Sequence, residues 1–340
     1  RAVRSTLESA GNLSWLKSGD RVLIKPASNS GNPYPATTSA AGLAAVVRAL
    51  RDKGAKVVVS DTAGVQFVKL SKDKLRGSTR KLMADNGLAR AALEAGAELY
   101  FPEEEGWDAF VPEEPDGGGW KNPLMMPRVL REVDHIILMP RVSRHTLAGS
   151  TLGLKAAVGY WRTDTRLEYH RDAATLQEKT AEAMTVPALK EKQRLVLTVA
   201  DRIQTTFGPD QGYNLAPETG LIFASESIVA HDMVALAFLL HGRGLTPERE
   251  KSGLMKDPYT SRAMVQLGNR AVTWLLGGAK EAARMQPLGN PEINSIWDDR
   301  VLKRAFELSG GVPRPRLTVA GDMPDPGLAA KLQEMVALPA

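Results

Sequence analysis

The chain has 340 residues, 43% of them hydrophobic and 24% charged, which is ordinary globular composition with room for one large domain or two medium ones. It contains no cysteine, so disulfides, thiolate zinc sites and an iron–sulfur cluster are excluded. Net charge is +5, from 44 basic and 39 acidic residues, and only 6% of residues are aromatic. No basic stripe is interleaved with aromatics, so nucleic-acid binding has no support. The basic run 69–81 (KLSKDKLRGSTRK) reads first as a solvated face. No stretch approaches the roughly 20 apolar residues of a transmembrane helix, because the longest apolar segment, 228–240, is interrupted by His231 and Asp232. Residue 1 is Arg rather than Met. An exported or periplasmic protein that has lost a leader and a cytoplasmic protein both stay open.

Six short runs are almost continuously apolar, as strands buried on both faces are: 21–25 (RVLIK), 55–61 (AKVVVSD), 98–101 (ELYF), 135–139 (HIILM), 195–201 (LVLTVAD) and 220–225 (GLIFAS). Helical spacing predicts helices over 40–53, ending at Gly54, and over 82–95, ending at Gly96. Further helices are expected over 173–192, broken by Pro187, and over 228–241, ending at Gly242. The alternation predicts an α/β fold with a mostly parallel, Rossmann-like sheet and helices on both faces. Segment 103–122, acidic and glycine-rich, reads as a loop or hairpin insertion. It is also the candidate surface for a protein partner. Segment 246–261 is a second polar insertion. The tail from residue 310 holds one short strand candidate, 316–320, and a last helix. Two arrangements fit. One has an α/β part over 1–190 carrying the first half of a cleft and a second part over 191–340 completing it. The other is one large domain.

Ligands of an open parallel sheet sit outside the carboxyl ends of its strands. Lys25 ends the first strand and Asp61 the second; Arg141, Arg144 and His145 follow the fourth, and Asp201 follows the fifth. Thr37 and Thr38 precede the helix at residue 40, where a hydroxyl either caps the helix or joins free N–H groups in holding an anion. No GxGxxG or Walker-type loop occurs, so no nucleotide is inferred.

The richest segment is 145–170 (HTLAGSTLGLKAAVGYWRTDTRLEYH). Ser150 or Thr151 is expected to cap a helix running towards Gly159, on which Thr151, Lys155 and Gly159 fall one turn apart. If that helix continued, Arg162 and Arg166 would share the face. Lys155 stands among apolar residues, so it either snorkels to water or has a lowered pKa and serves as base or covalent anchor. His145 can be acid, base or metal ligand. A divalent-metal site is conceivable from His170 with carboxylates, although the spacing is not that of a specific motif. Asp232 lies in the first turn of the apolar helix, where it either favours the helix dipole or faces the cleft.

The order VLIKP, ATTS, GAKVVVSD, PRVSRH, TLGLKAAVG, a following histidine, VAD, GP, GLIFAS and VAHD resembles the family catalogued as domain of unknown function 362, over roughly residues 15 to 245. The resemblance implies site positions at Lys25, Thr37, Thr38, Asp61, His145, Thr151, Lys155, Asp201 and Asp232. The chain departs from that pattern at Ala27, where the family usually has Asn, in the spacing of Arg141 and Arg144, and at Ser227, where Asp is frequent. A more distant likeness is to nickel-pincer lactate racemase-like proteins. It implies Lys155 as anchor of a pyridinium-type cofactor and His170 as a metal ligand. Together these readings point to an enzyme that acts on a small anionic carboxylate or phosphate by acid/base chemistry with His145 and Lys155. In that reading Lys25, Thr37, Thr38, Arg141, Arg144, Thr151 and Arg162 bind the anion, and His170, Asp61, Asp201 and Asp232 are the metal candidates. The alternatives are a non-catalytic binder of an anion, metal or cofactor, and an accessory subunit of a complex.

Overall fold

The computed structural model describes residues 1–252, 262–289, 292–321 and 325–339. Among these residues the main sheet has six strands: β1 (Arg21–Pro26), β2 (Lys56–Ser60), β3 (Glu98–Tyr100), β4 (His135–Met139), β5 (Gln193–Ala200) and β6 (Leu221–Ser225). Their order is β6-β5-β4-β1-β2-β3. The pairs from β5 to β3 are parallel, and β6 alone is antiparallel. The expected α/β class and all six strands are present. Four of the strands precede residue 190 and two follow it.

Side chains alternate across the sheet. Val22 and Ile24 of β1 pack with Leu43, Val47 and Leu50 of helix α1 (Ala40–Asp52). Leu23 packs on the opposite face with Met126, Leu130, Tyr160 and Trp161. Helix α1 starts where Ser39 Oγ accepts the Gly42 N–H and stops before Gly54, whose φ of +87° suits glycine.

Several helix expectations are corrected. The segment 82–95 forms two short helices, Thr79–Asp85 and Leu88–Glu94. The Asn86 side chain breaks them apart by taking the Leu88 N–H and donating to the Ser30 carbonyl. Segment 173–192 is a series of short helices, of which Leu176–Glu182 is the longest. The apolar helix α2 (Ile228–Leu245) passes through Gly242, where the missing side chain admits Ile203 and Leu215; it ends at Thr246, before Pro247. Ser227 caps it by accepting the Ala230 N–H, a role that the more usual Asp would also fill. By length and composition α2 could cross a membrane, yet 61% of it is buried inside the fold, so it is a core helix here. Residues 316–320 pair with no described strand, while the last helix, Pro326–Met335, is present. Part of the 246–261 insertion, residues 253–261, lies outside the described residues.

The 103–122 insertion leads into a hairpin, Phe110–Glu113 with Leu124–Pro127. It is tied to the body of the chain. Trp120 packs on Trp161 and donates Nε1–H to the Lys179 carbonyl. Glu182 accepts from the Gly119 N–H and Glu168 from the Lys121 N–H.

A cationic cavity at the strand ends as the candidate functional site

Beyond β4 the chain forms a small four-stranded sheet from Ser143–His145, Gly149–Thr151, Ile203–Gln204 and Asn214–Leu215. Ser150 and Thr151 are strand residues in it and do not cap a helix, contrary to expectation. Lys155 rides on a 3-10 helix, Leu154–Tyr160. The chain breaks at Trp161 and restarts as helix α3 (Thr163–Arg171). Together with the ends of β1, β2 and β4 these pieces line an open cavity of about 350 Å³. Lys25, Asp61, Arg141, His145, Thr151, Lys155 and His170 all line it.

The first-strand lysine and second-strand aspartate form a buried ion pair, Lys25 Nζ to Asp61 Oδ1 at 2.7 Å. Loss of water pulls the Lys25 pKa down, against the opposing pull of Asp61. Asp61 also accepts the Ser28 N–H at 2.7 Å and the Thr62 N–H at 2.9 Å. Both of its oxygens are therefore engaged in shaping the two loops. The pair fits only because residue 159 is glycine: a methyl group there would land on Asp61 Oδ1 and lie 2.8 Å from Lys25 Cε. Gly159→Ala is expected to cost about 1–3 kcal/mol, as measured by urea unfolding.

Four cations face this space, against one lining carboxylate. Arg141 is 1% exposed. One of its nitrogens reaches the Pro35 carbonyl at 3.3 Å, while Nε and Nη2 have no partner among the described residues. Arg166, 4% exposed, donates to the Ala63 and Thr62 carbonyls and leaves Nε unmade. Burial lowers both guanidinium pKa values to about 10. Lys155 is half-buried, and no hydrogen bond or ion pair to it is found among the described residues. Its pKa is lowered to about 7, first by loss of water and then by the charges of Arg141, Lys25 and Arg166.

The two histidines present opposite faces. His145 Nδ1 accepts the N–H groups of Leu147 and Ala148 at 3.1 and 3.2 Å, so the proton of the neutral ring sits on Nε2. Burial and the neighbouring cations hold its pKa well below the usual histidine value. In this tautomer the neutral His145 ring has an Nε2–H to offer. His170 is the reverse. Asn269 donates Nδ2–H to the His170 carbonyl at 2.8 Å, which turns its Oδ1 towards His170 Nδ1, also at 2.8 Å. His170 Nδ1 then carries the proton and Nε2 keeps a lone pair. Its pKa falls to about 4, mainly through burial.

The other expected residues lie elsewhere. Thr37 donates to the Asn32 carbonyl, and Thr38 bridges the Ala27 N–H and the Met139 carbonyl; Ser39 is the helix cap. Arg144 is fully buried outside the cavity, where its charge acts on Asp299. Arg162 stacks 3.9 Å over Trp107 and pairs with Asp164. Asp201 is exposed and accepts from the Tyr34 hydroxyl at 2.6 Å. Asp232 caps the 3-10 helix from behind, accepting the Gly153 and Leu154 N–H groups at 2.8 and 2.7 Å. The four metal candidates do not converge, and among the described residues no group of three or more His, Asp or Glu is placed to hold a metal ion. Arg166, expected only as a partner of Arg162 on a shared helix face, lines the cavity, and Asn269, which was not expected at all, orients His170. Arg166 carried a signal as a basic residue within segment 145–170; Asn269 carried none.

Fold and site together define an α/β protein with a cationic cleft at the carboxyl ends of its parallel strands. The family model for the domain of unknown function 362 matches residues 22–237, and the chain belongs to that family. No curated protein matches it. Among solved structures, the lactate racemase apoprotein from Thermoanaerobacterium thermosaccharolyticum is similar at 12% identity and a TM-score of 0.38, over 66% of this chain and 51% of that one. A protein from Thermotoga maritima is similar at 14% identity and a TM-score of 0.39, over 71% of this chain and 56% of that one. The chain thus spans little more than half the length of these structures.

Proposed function

We propose that the cavity binds a small anionic substrate, a carboxylate or phosphate ester, and that Lys155 moves a proton to or from it. One observation carries this reading: an amine without a partner, lowered to about 7 and half-open to a cavity walled by arginines. A base works best when its pKa lies near the working pH. Arg141 and Arg166 neutralise the anion, His145 donates its Nε2–H, and the His170 lone pair accepts a substrate hydroxyl or N–H. The test is deuterium uptake from D2O by a panel of small carboxylates and phosphate esters. Exchange by the wild type that slows about 10²–10⁴-fold in Lys155→Met supports the proposal. Binding of the same compounds with no exchange leaves a binding protein and overturns the catalytic part.

The cofactor implied by the lactate racemase likeness fits these residues only in part. Lys155 is a partner-free amine and His170 offers a lone pair in the same cavity, as an anchor and a metal ligand would. His145, with its Nδ1 taken by two amides, offers an N–H instead of a third ligand. No step is assigned to such a group.

A further inference from the structure

The cavity wall carries several donors that have no partner. Arg141 Nε and Nη2, Arg166 Nε and Thr151 Oγ1 are buried without partners among the described residues, and buried donors left unmade are costly. The amine of Lys155 and the Nε2–H of His145 add to them. Asp61 is largely occupied, with Lys25 and Thr62 on Oδ1 and Ser28 on Oδ2. His170 Nε2 is an acceptor on the same wall, with the side chains of Asn29 and Gln66 further along it. These donors come from separate pieces of chain: the loop after β4, the strand Gly149–Thr151, the 3-10 helix and α3. A flat carboxylate has two oxygens in one plane, whereas a tetrahedral oxyanion offers oxygens in several directions.

We infer that the cavity is built for a phosphate group that keeps one proton, its oxygens taking the donors of Arg141, Arg166, Thr151 and Lys155 and its P–OH donating to His170 Nε2. This rests on the small-anion reading above and narrows it. Sulfate is nearly the same size but carries no proton at neutral pH, so it would set an oxygen lone pair against that of His170. The cavity, about 350 Å³, is larger than inorganic phosphate requires. Its remaining wall includes Leu147, Val158, Phe207 and Val272, which suits the organic part of a phosphate monoester.

Isothermal titration of the whole chain with inorganic phosphate, phenyl phosphate, sulfate and acetate tests this. Phosphate is expected to bind at least about 10-fold more tightly than sulfate or acetate, and phenyl phosphate more tightly than phosphate. Arg141→Met is expected to weaken phosphate about 10-fold or more. Thr151→Val removes one donor at nearly constant volume, so it gives the same test, with a smaller loss, if the arginine variant fails to fold. Acetate binding as tightly as phosphate overturns the phosphate assignment and leaves the small-anion reading standing. Sulfate equal to phosphate overturns the proton contact with His170. A folded protein that binds none of the four overturns both readings.

Discussion

Lys155→Met should be more stable than the wild type at pH 6 and equal to it near pH 10.5. The folded amine titrates at about 7, against an ordinary value of 10.5. Between those two values the unfolded chain holds a proton that the folded chain does not, so wild-type stability rises with pH across the window. Below pH 7 the folded state must carry the charged amine beside Arg141, Lys25 and Arg166, and the whole cost is present. Methionine keeps most of the stem and removes the charge. Part of the lysine stays open to the cavity, and solvent screening reduces the cost; the expected gain at pH 6 is on the order of 1–2 kcal/mol. Urea unfolding at pH 6, 8 and 10 reads it directly. A variant no more stable than the wild type at pH 6 contradicts a lowered amine and removes the main support for Lys155 as the proton carrier. Loss of deuterium exchange together with a gain in stability would mark a group kept for chemistry at the expense of the fold.

The strands were legible because each is short, apolar throughout and bounded by a turn or proline, so local pattern and buried environment agree. The helices were legible only where no side chain interfered. Nothing local says that Asn86 will turn its amide onto the Ser30 carbonyl and split a helix, or that Gly242 is there to admit Ile203. The site divides in the same way. Lys25, Asp61, Arg141 and His145 stand at or just after strand ends, so the sheet itself delivers them to one rim. Thr38 and Asp201 stand at the same rim yet turn to the Met139 carbonyl and the Tyr34 hydroxyl, partners more than 100 residues away. Arg162 and Arg166 were expected on one face. The break at Trp161 replaced a continuous helix by two, and only Arg166 reaches the cavity. His231, next to Asp232 in the chain, could pair there or lie at the surface, and it is buried and pairs with Asp232.

Asp232→Asn is expected to destabilise the protein by about 3 kcal/mol. Oδ1 accepts both the Gly153 N–H and His231 Nδ1–H at 2.8 Å, and Oδ2 accepts the Leu154 N–H at 2.7 Å. His231 Nε2 then faces the Thr198 hydroxyl of β5 at 2.9 Å. One buried carboxylate thus joins β5, α2 and the start of the helix that carries Lys155, where a negative charge is favoured. Asparagine has the same shape but one acceptor oxygen, and its amide would point N–H at N–H. At least one of three buried donors loses its partner. Urea unfolding at pH 7 with an unchanged m-value gives the number, and a loss under about 0.5 kcal/mol would contradict the clamp. Anion titration of the folded variant gives a second reading, because a released helix start displaces Lys155 while Arg141 stays where it is. Anion affinity should therefore fall in Asp232→Asn and be recovered by no change of pH, whereas a purely global loss of stability would leave the affinity of the folded fraction intact. The residue that looked from its neighbours like a metal ligand or cleft carboxylate acts on the cavity from behind, by fixing where its lysine stands.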